Sequence, residues 1–156
     1  MVETKRESER GTRKPSVATS LKLKIIERPI DSVRPRTKNP RTHTPAQIRQ
    51  IAESLRTFGF VNPILLGSDG AVVAGHGRLE AARLLGLASV PTIELCHLSP
   101  DEIRAYAIAD NRLAELSGWD KEILAIELQE LSALDLEFDV SITGFATAEI
   151  DVLIEG

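Results

Sequence analysis

The sequence predicts an α+β fold, a small mixed sheet with packed helices, plus a short C-terminal helical extension. Three observations lead there. Capping boxes at Thr44-Pro45-Ala46-Gln47 and Ser99-Pro100-Asp101-Glu102 each open an amphipathic stretch, and short apolar runs lie before and between them. Strands and helices do not alternate as regular βαβ units, and no internal repeat is present, which excludes a doubly wound sheet and a solenoid. A length of 156 residues suits one domain with an appendage, and aromatics at 4% require a core of Leu, Ile, Val and Ala.

Along the chain, residues 1–20 mix Lys5, Arg6, Arg10, Arg13 and Lys14 with Ser, Thr and Glu and lack apolar periodicity, so they read as a disordered basic arm or a solvated tail. Leu21, Leu23 and Ile25 alternate with Lys22 and Lys24 as in a first strand, and Pro29 and Pro35 then mark a loop. Behind Thr44, Ile48, Ile51, Ala52, Leu55 and Phe58 recur at helical spacing until Gly59. Pro63–Leu66 and Ala71–Ala74, joined by Gly67-Ser68-Asp69-Gly70, read as a β-hairpin. A helix from Leu79 to Leu85 ends at Gly86, a fourth strand runs from Val90 to Leu95, and the helix opened at Ser99 continues to about Leu116.

Beyond it, Asp120 caps a helix carrying Ile123, Leu124, Leu128 and Leu131, and Thr147 caps a last one carrying Ile150, Leu153 and Ile154. Only short helices follow, so no helix-turn-helix reading domain is expected after residue 116. Trp119 and Phe145 are expected to pack in this C-terminal core. The expected organisation is an arm over 1–20, a domain over 21–116 and an extension over 117–156.

The net charge of -4 excludes a protein that coats nucleic acid over its whole surface. It conceals a gradient. Residues 1–56 hold 14 Lys/Arg against 6 Asp/Glu, and the remainder holds 5 against 17. Phosphate attraction acts within about a Debye length, roughly 8 Å, so one basic side suffices for nucleic acid. The single cysteine, Cys96, excludes an internal disulfide or a Cys-rich zinc site and reads as a buried structural thiol. No apolar run nears the roughly 18 residues that span a bilayer, and the charged N-terminus is unlike a signal peptide, so a cytoplasmic protein is expected.

Three places carry candidate chemistry. In Gly75-His76-Gly77-Arg78 a strand passes through two glycines into a helix start, which presents free N–H groups and a guanidinium to an anion; the alternative is a tight turn with Arg78 paired to a surface carboxylate. Lys38-Asn39-Pro40-Arg41-Thr42-His43 is a basic loop just before a helix, or merely a solvated one. Asp110 falls on the face of Ile103, Tyr106, Ala107 and Ala114, with Asn111 at its edge. These two oxygens suit a hydrated Mg²⁺ beside phosphates, unless Asp110 pairs with Arg78 or Arg104. Arg112 points away. His43, His76 and His97 lack metal-ligand spacing, and Cys96 beside His97 on a strand makes no nucleophile and base pair.

Taken in order, Ile30-Asp31-Ser32-Val33-Arg34-Pro35, Asn39-Pro40-Arg41, Gly59-Phe60-Val61-Asn62-Pro63-Ile64, Gly75-His76-Gly77-Arg78 with Ala81-Ala82, and Ala109-Asp110-Asn111 resemble the N-terminal domain of ParB-type partition proteins, in the ParB/sulfiredoxin superfamily. The resemblance covers about residues 24–116. It implies a nucleoside triphosphate site, for CTP more than ATP, with Arg41, Thr42, Gly75, His76, Gly77 and Arg78 on the nucleotide and with Asp110 and Asn111 holding Mg²⁺ and carrying any catalysis. It further implies DNA as partner and allows a homodimer, and the charge gradient places Arg34, Arg36 and Lys38 on the basic side that would meet DNA. Gly-His-Gly-Arg, Ala109 to Glu115 and Gly118-Trp119-Asp120 look like the form on phage and plasmid chains often linked to a DNA-modification methyltransferase.

The expected function is a Mg-dependent switch in partition, transcription or DNA modification. The alternatives are a nuclease, an ATP-dependent phosphotransferase of the free-serine kinase type with Asp31 as base, and an inert adaptor of a methylase system. His76 stands where sulfiredoxins carry cysteine, which argues against sulfinic-acid reduction, and Asp110 replaces the usual Glu, which makes hydrolysis a weaker expectation than binding.

Overall fold

The computed structural model describes residues 21–156, and the arm expected over 1–20 lies outside them. Both capping boxes form. Thr44 accepts the Gln47 N–H at 3.2 Å while Gln47 accepts the Thr44 N–H at 3.0 Å, and Ser99 and Glu102 exchange bonds in the same way. They open α1 (Pro45–Phe58) and α3 (Pro100–Leu116). Removing the first box in Thr44→Ala is expected to cost about 1 kcal/mol, read as a lower midpoint in a urea melt.

Four short strands form one mixed sheet in the order β1-β4-β2-β3: β1 (Ile25–Pro29), β2 (Ile64–Leu66), β3 (Val72–Ala74) and β4 (Ser89–Glu94). β1 runs antiparallel to β4 from Ile25 opposite Ile93 to Pro29 opposite Ser89, β4 runs parallel to β2, and β2 and β3 make the expected hairpin. Leu21 and Leu23 lie outside the sheet and are exposed, contrary to the alternation in sequence. Among the described residues β4 is β1's only neighbour and pairs with it from Ile25 onward, so Leu21 and Leu23 lie beyond the paired stretch.

Because side chains alternate across a strand, the sheet has two apolar faces. Ile64, Leu66, Val72 and Val90 join Leu79 and Ala82 of α2 (His76–Leu84), and α1 packs on α2 through Ile48, Ala52 and Ala81. Val73 and Leu95 meet Ala107 of α3, with Leu65, Ile93 and Ile103 around them. The sheet is thus covered by α2 on one side, with α1 packed on α2, and by α3 on the other. Thr92 is buried at 1% exposure, and its hydroxyl is satisfied by donating to the Ile26 carbonyl at 2.7 Å.

The chain ends in α4 (Lys121–Ala133), a 3-10 turn (Val140–Thr143) and α5 (Thr147–Glu155). Asp120 caps α4 as expected, but α5 starts with Thr147 as its first residue and Ala146 at the cap; alanine has no acceptor, and Glu149 instead takes the Ala146 N–H at 2.7 Å. Leu128 and Ile150 are the buried residues here. Trp119 and Phe145 meet edge to face at 5.6 Å, yet Trp119 remains 70% exposed and so lies outside the core. Phe58 of α1 meets Phe138 in the same way.

Two further readings are corrected. Cys96 is exposed, because it falls in the turn after β4 rather than inside the strand. Asp110 is exposed rather than facing the core, since α3 reaches the sheet through Ile103 and Ala107 and its next turn overhangs a cavity. Among the described residues no helix is long and apolar enough to cross a membrane.

Candidate functional site

The glycine turn between β3 and α2 is the centre of the site. Gly75 adopts φ +109°, a left-handed conformation that L side chains rarely take, and this lets the chain pass from strand to helix in one residue. The helix therefore begins at His76, three residues before the apolar pattern alone indicates. Its first-turn N–H groups have no intrahelical acceptor, and Gly75 supplies no capping side chain. Gly77 is buried where a Cβ would lie 2.8 Å from Ile51 and 3.1 Å from the His43 ring, so glycine there permits α1 and the preceding loop to close on α2.

The residues of this helix start line a cavity of about 440 Å³. Its lining includes Gly75, His76, Gly77 and Arg78, Arg41 from the loop before α1, and Asp110 and Asn111 from α3. Ile51, Leu55 and Val61 add apolar surface, and Ser54 and Asn62 add polar groups to it.

Arg78 is the residue the alternatives turned on. Its Nη2 donates to the Pro63 carbonyl at 3.1 Å, its Nε is buried without a partner, and its guanidinium lies over Gly75. Among the described residues it has no carboxylate at ion-pair distance; burial lowers its pKa, and Asp110 raises it from a distance. Arg104 pairs with Asp101 at 3.5 Å, and the Asp110 carboxylate instead accepts the Tyr106 hydroxyl at 3.3 Å. Burial and then Asp110 raise the Tyr106 phenol, so it remains a donor.

Arg41 reaches across to α3, with Nη1 2.9 Å from Asn111 Oδ1 and 3.6 Å from Glu115. Asn111 also donates through Nδ2 to the Ala107 carbonyl at 2.8 Å, so both ends of its amide are engaged. Arg112 is solvated and pairs with Glu115 at 3.3 Å. His76 accepts the Arg36 backbone N–H through Nε2 at 3.3 Å. Its pKa is lowered by burial first, then by His43 and Arg36, against a smaller opposing effect of Glu80.

The remaining expected residues lie elsewhere. Thr42 is exposed on a shallower cleft, which it shares with Arg41, Asn111 and Glu115. Arg34 and Arg36 line a second cavity of about 570 Å³ together with Arg104, and Arg34 donates to the Asp69 carbonyl. Lys38 is exposed and lines neither cavity, and Asp31 is exposed in a 3-10 turn away from both. Ser54, Val61 and Asn62 do not stand out in the sequence as site residues. Ser54 falls between Ile51 and Leu55 on the α1 face that meets the cavity, and a polar residue on that face is the available signal.

An α+β domain with a cationic cavity at a glycine-led helix start has the donors and the positive charge that suit an anion. Residues 15–117 match the ParB N-terminal domain, and the chain belongs to that family. Residues 122–156 match the ParB-methyltransferase HTH domain. The expectation that no helix-turn-helix follows residue 116 is thereby overturned: α4 and α5 are joined through residues 134–146 with a 3-10 turn, not by the usual short turn of about three or four residues, which hid the motif.

The chain is 43% identical over 83 residues to the ParB-like nuclease domain-containing protein YnaK of Escherichia coli K12, covering 53% of this chain and 95% of that protein. It is 37% identical over 92 residues to the probable chromosome 2-partitioning protein ParB of Deinococcus radiodurans, over 57% of this chain but only 30% of that one. In fold it is similar to the C-terminally truncated chromosome-partitioning protein ParB from Caulobacter crescentus complexed with CTP-gamma-S. The TM-score is 0.66 at 21% identity, over 84% of this chain and 77% of the other.

Proposed function

We propose that the chain binds a nucleoside triphosphate, CTP in preference to ATP, in the glycine-turn cavity and acts with DNA as a nucleotide-dependent switch. The observation that carries this is Arg78: a guanidinium with a buried, unpartnered Nε and no carboxylate at ion-pair distance, set beside free helix N–H groups. An unpaired buried donor costs about 1–3 kcal/mol, which an anion in the cavity offsets. The Caulobacter protein similar in fold was crystallised with CTP-gamma-S, which supports a cytidine nucleotide.

In this reading the phosphates lie on the N–H groups at His76 to Arg78, Arg78 provides a fork, and Arg41 exchanges Asn111 for phosphate oxygen. The base lies against Ile51, Leu55 and Val61, within reach of Ser54 and Asn62. Magnesium fits on Asp110, whose second carboxylate oxygen has no hydrogen-bond partner among the described residues, better than on Asn111, whose amide is engaged. No group of three or more candidate metal ligands exists among the described residues, so the ion would be held mainly by phosphate and water. When bound it neutralises phosphate charge.

The separation of Arg78 from Asp110 favours this reading over an inert adaptor, and the position of Asp31 gives a phosphotransferase base no support. Isothermal titration with CTP, ATP and GTP in magnesium tests it: saturable CTP binding is expected, and absence of binding by all three removes the proposal.

DNA contact is assigned to Arg34, Arg36 and Lys38 together with the helix-turn-helix segment, and a DNA methyltransferase and a second copy of the chain are the further partners proposed. The triple variant Arg34→Ala, Arg36→Ala, Lys38→Ala should weaken binding to a fluorescent duplex irrespective of sequence. It should also reduce the slope of log K against log salt by about 0.9 for each phosphate no longer neutralised. An unchanged slope would place the DNA surface elsewhere.

A further inference from the structure

The basic segment that precedes α1 is held in an unusual way. Arg34 is fixed to the edge of β3 by two backbone bonds, Arg34 N–H to the Gly70 carbonyl at 3.2 Å and Val72 N–H to the Arg34 carbonyl at 2.9 Å. Past it, among the described residues, the only backbone hydrogen bond from residues 35–40 is the one that the Arg36 N–H gives to His76 Nε2. That acceptor lies in the first turn of α2 and lines the glycine-turn cavity, while Arg36 lines the second, basic cavity. One imidazole nitrogen therefore connects the two.

We propose that His76 is a positioning residue that couples the glycine-turn cavity to the basic segment carrying Arg36, by exchanging its bond to the Arg36 N–H for a proton when an anion binds. This rests on the triphosphate reading of the same cavity. The chemistry is that of an acceptor lost on protonation. A neutral ring offers one nitrogen as acceptor and an imidazolium offers none, so the protonated ring cannot hold the Arg36 N–H. Proton and hydrogen bond are alternatives at the same atom.

The groups facing His76 decide which form is present. His43 and Arg41 come from the loop before α1, Arg36 from the basic segment, Arg78 and Glu80 from α2, and Asp110 from α3 across the cavity. Burial and the neighbouring His43 and Arg36 hold the ring neutral, and Glu80 opposes them only weakly. A bound triphosphate brings several negative charges to the helix start, which favours the imidazolium and reverses that balance. The sign follows from linkage. Binding takes up a proton over the window between the lowered value of the free protein and the raised value of the complex, so affinity rises as pH falls through that window, by up to about tenfold per pH unit.

The same lowering makes His76 a contributor to folding stability above about pH 6.5, lost as pH falls through the folded value, because the unfolded chain then binds the proton first.

The test is titration of CTP into the protein near pH 6.5 in two buffers of different ionisation enthalpy, for wild type, His76→Gln and His97→Gln, with the Arg36 amide followed by hydrogen exchange; His97 is exposed in the turn after β4 and lines neither cavity. Glutamine keeps an acceptor but does not titrate, and the difference between wild type and variant removes the proton chemistry of CTP itself. Wild type and His97→Gln should take up about half a proton or more in excess of His76→Gln, and CTP should speed exchange of the Arg36 amide in both of these but not in His76→Gln. Binding with equal uptake in wild type and His76→Gln, or an Arg36 amide unmoved by CTP, overturns the coupling while leaving the nucleotide site standing. Absence of CTP binding overturns both.

Discussion

Arg78→Ala is expected to weaken CTP binding by about one to two orders of magnitude, with little change in fold. The size follows from the bond type: hydrogen bonds to charged groups are worth about 1.5–3 kcal/mol, and about 1.4 kcal/mol is tenfold in affinity. Most of the loss should persist in Arg78→Lys. An ammonium keeps the charge but cannot reproduce the planar fork, and it cannot at once hold the Pro63 carbonyl and meet phosphate from Nε. The stability cost in the alanine variant should be small, because the bond removed is a single part-buried one and the unpartnered Nε goes with it. Calorimetric titration beside a thermal melt separates the two quantities, and unchanged affinity in Arg78→Ala would remove Arg78 from the site.

Gly75→Ala is expected to damage stability and binding together. At φ +109° an alanine is strained, typically by about 1–3 kcal/mol, and its Cβ would lie 3.0 Å from Arg78 Nη2 and 3.3 Å from Cζ. The guanidinium is the far end of a flexible side chain and can move away, but doing so takes it off the Pro63 carbonyl and out of the phosphate position. Gly86→Ala provides the comparison, since Gly86 also has positive φ, +70°, with nothing within 4 Å of the added Cβ and no place in the cavity. It should lose stability without losing CTP affinity. Equal retention of affinity in both variants would mean that the glycine turn does not shape the site.

The parts of this protein legible in its sequence are those set by neighbours along the chain. Thr44 with Gln47 and Ser99 with Glu102 declare their helices because the bonds close within one turn, and Gly67 to Gly70 declares the hairpin for the same reason. Gly75 to Arg78 is legible as chemistry because strand, turn and helix start are consecutive. What depended on tertiary pairing was not. Leu21 and Leu23 alternate like a strand but lie beyond the β4 partner; Asp110 looks inward on a helical wheel but overhangs a cavity; Cys96 follows an apolar run but falls in the turn after it. Ser54 and Asn62 join the site only because α1 and the segment after Gly59 are brought beside the glycine turn. The helix-turn-helix is hidden because its two helices are separated by a longer connection than the usual spacing.

On the proposed reading the lining of the cavity accounts for a switch: backbone N–H groups and arginines would meet the phosphates and Ile51, Leu55 and Val61 the base, so a triphosphate would touch α1, α2 and α3 at once. Arg41 now holds Asn111 and stands near Glu115, and transferring it to phosphate releases the last turns of α3 from that tie. A ligand that exchanges such bonds shifts a conformational equilibrium by its differential affinity for the two arrangements.

The most direct measurement is calorimetric titration of the protein with CTP in the presence of magnesium, with ATP and GTP as comparisons. Saturable binding of CTP at one site per chain, tighter than that of either purine nucleotide, is the expected result. No heat of binding and no saturation with any of the three would contradict the account at its centre.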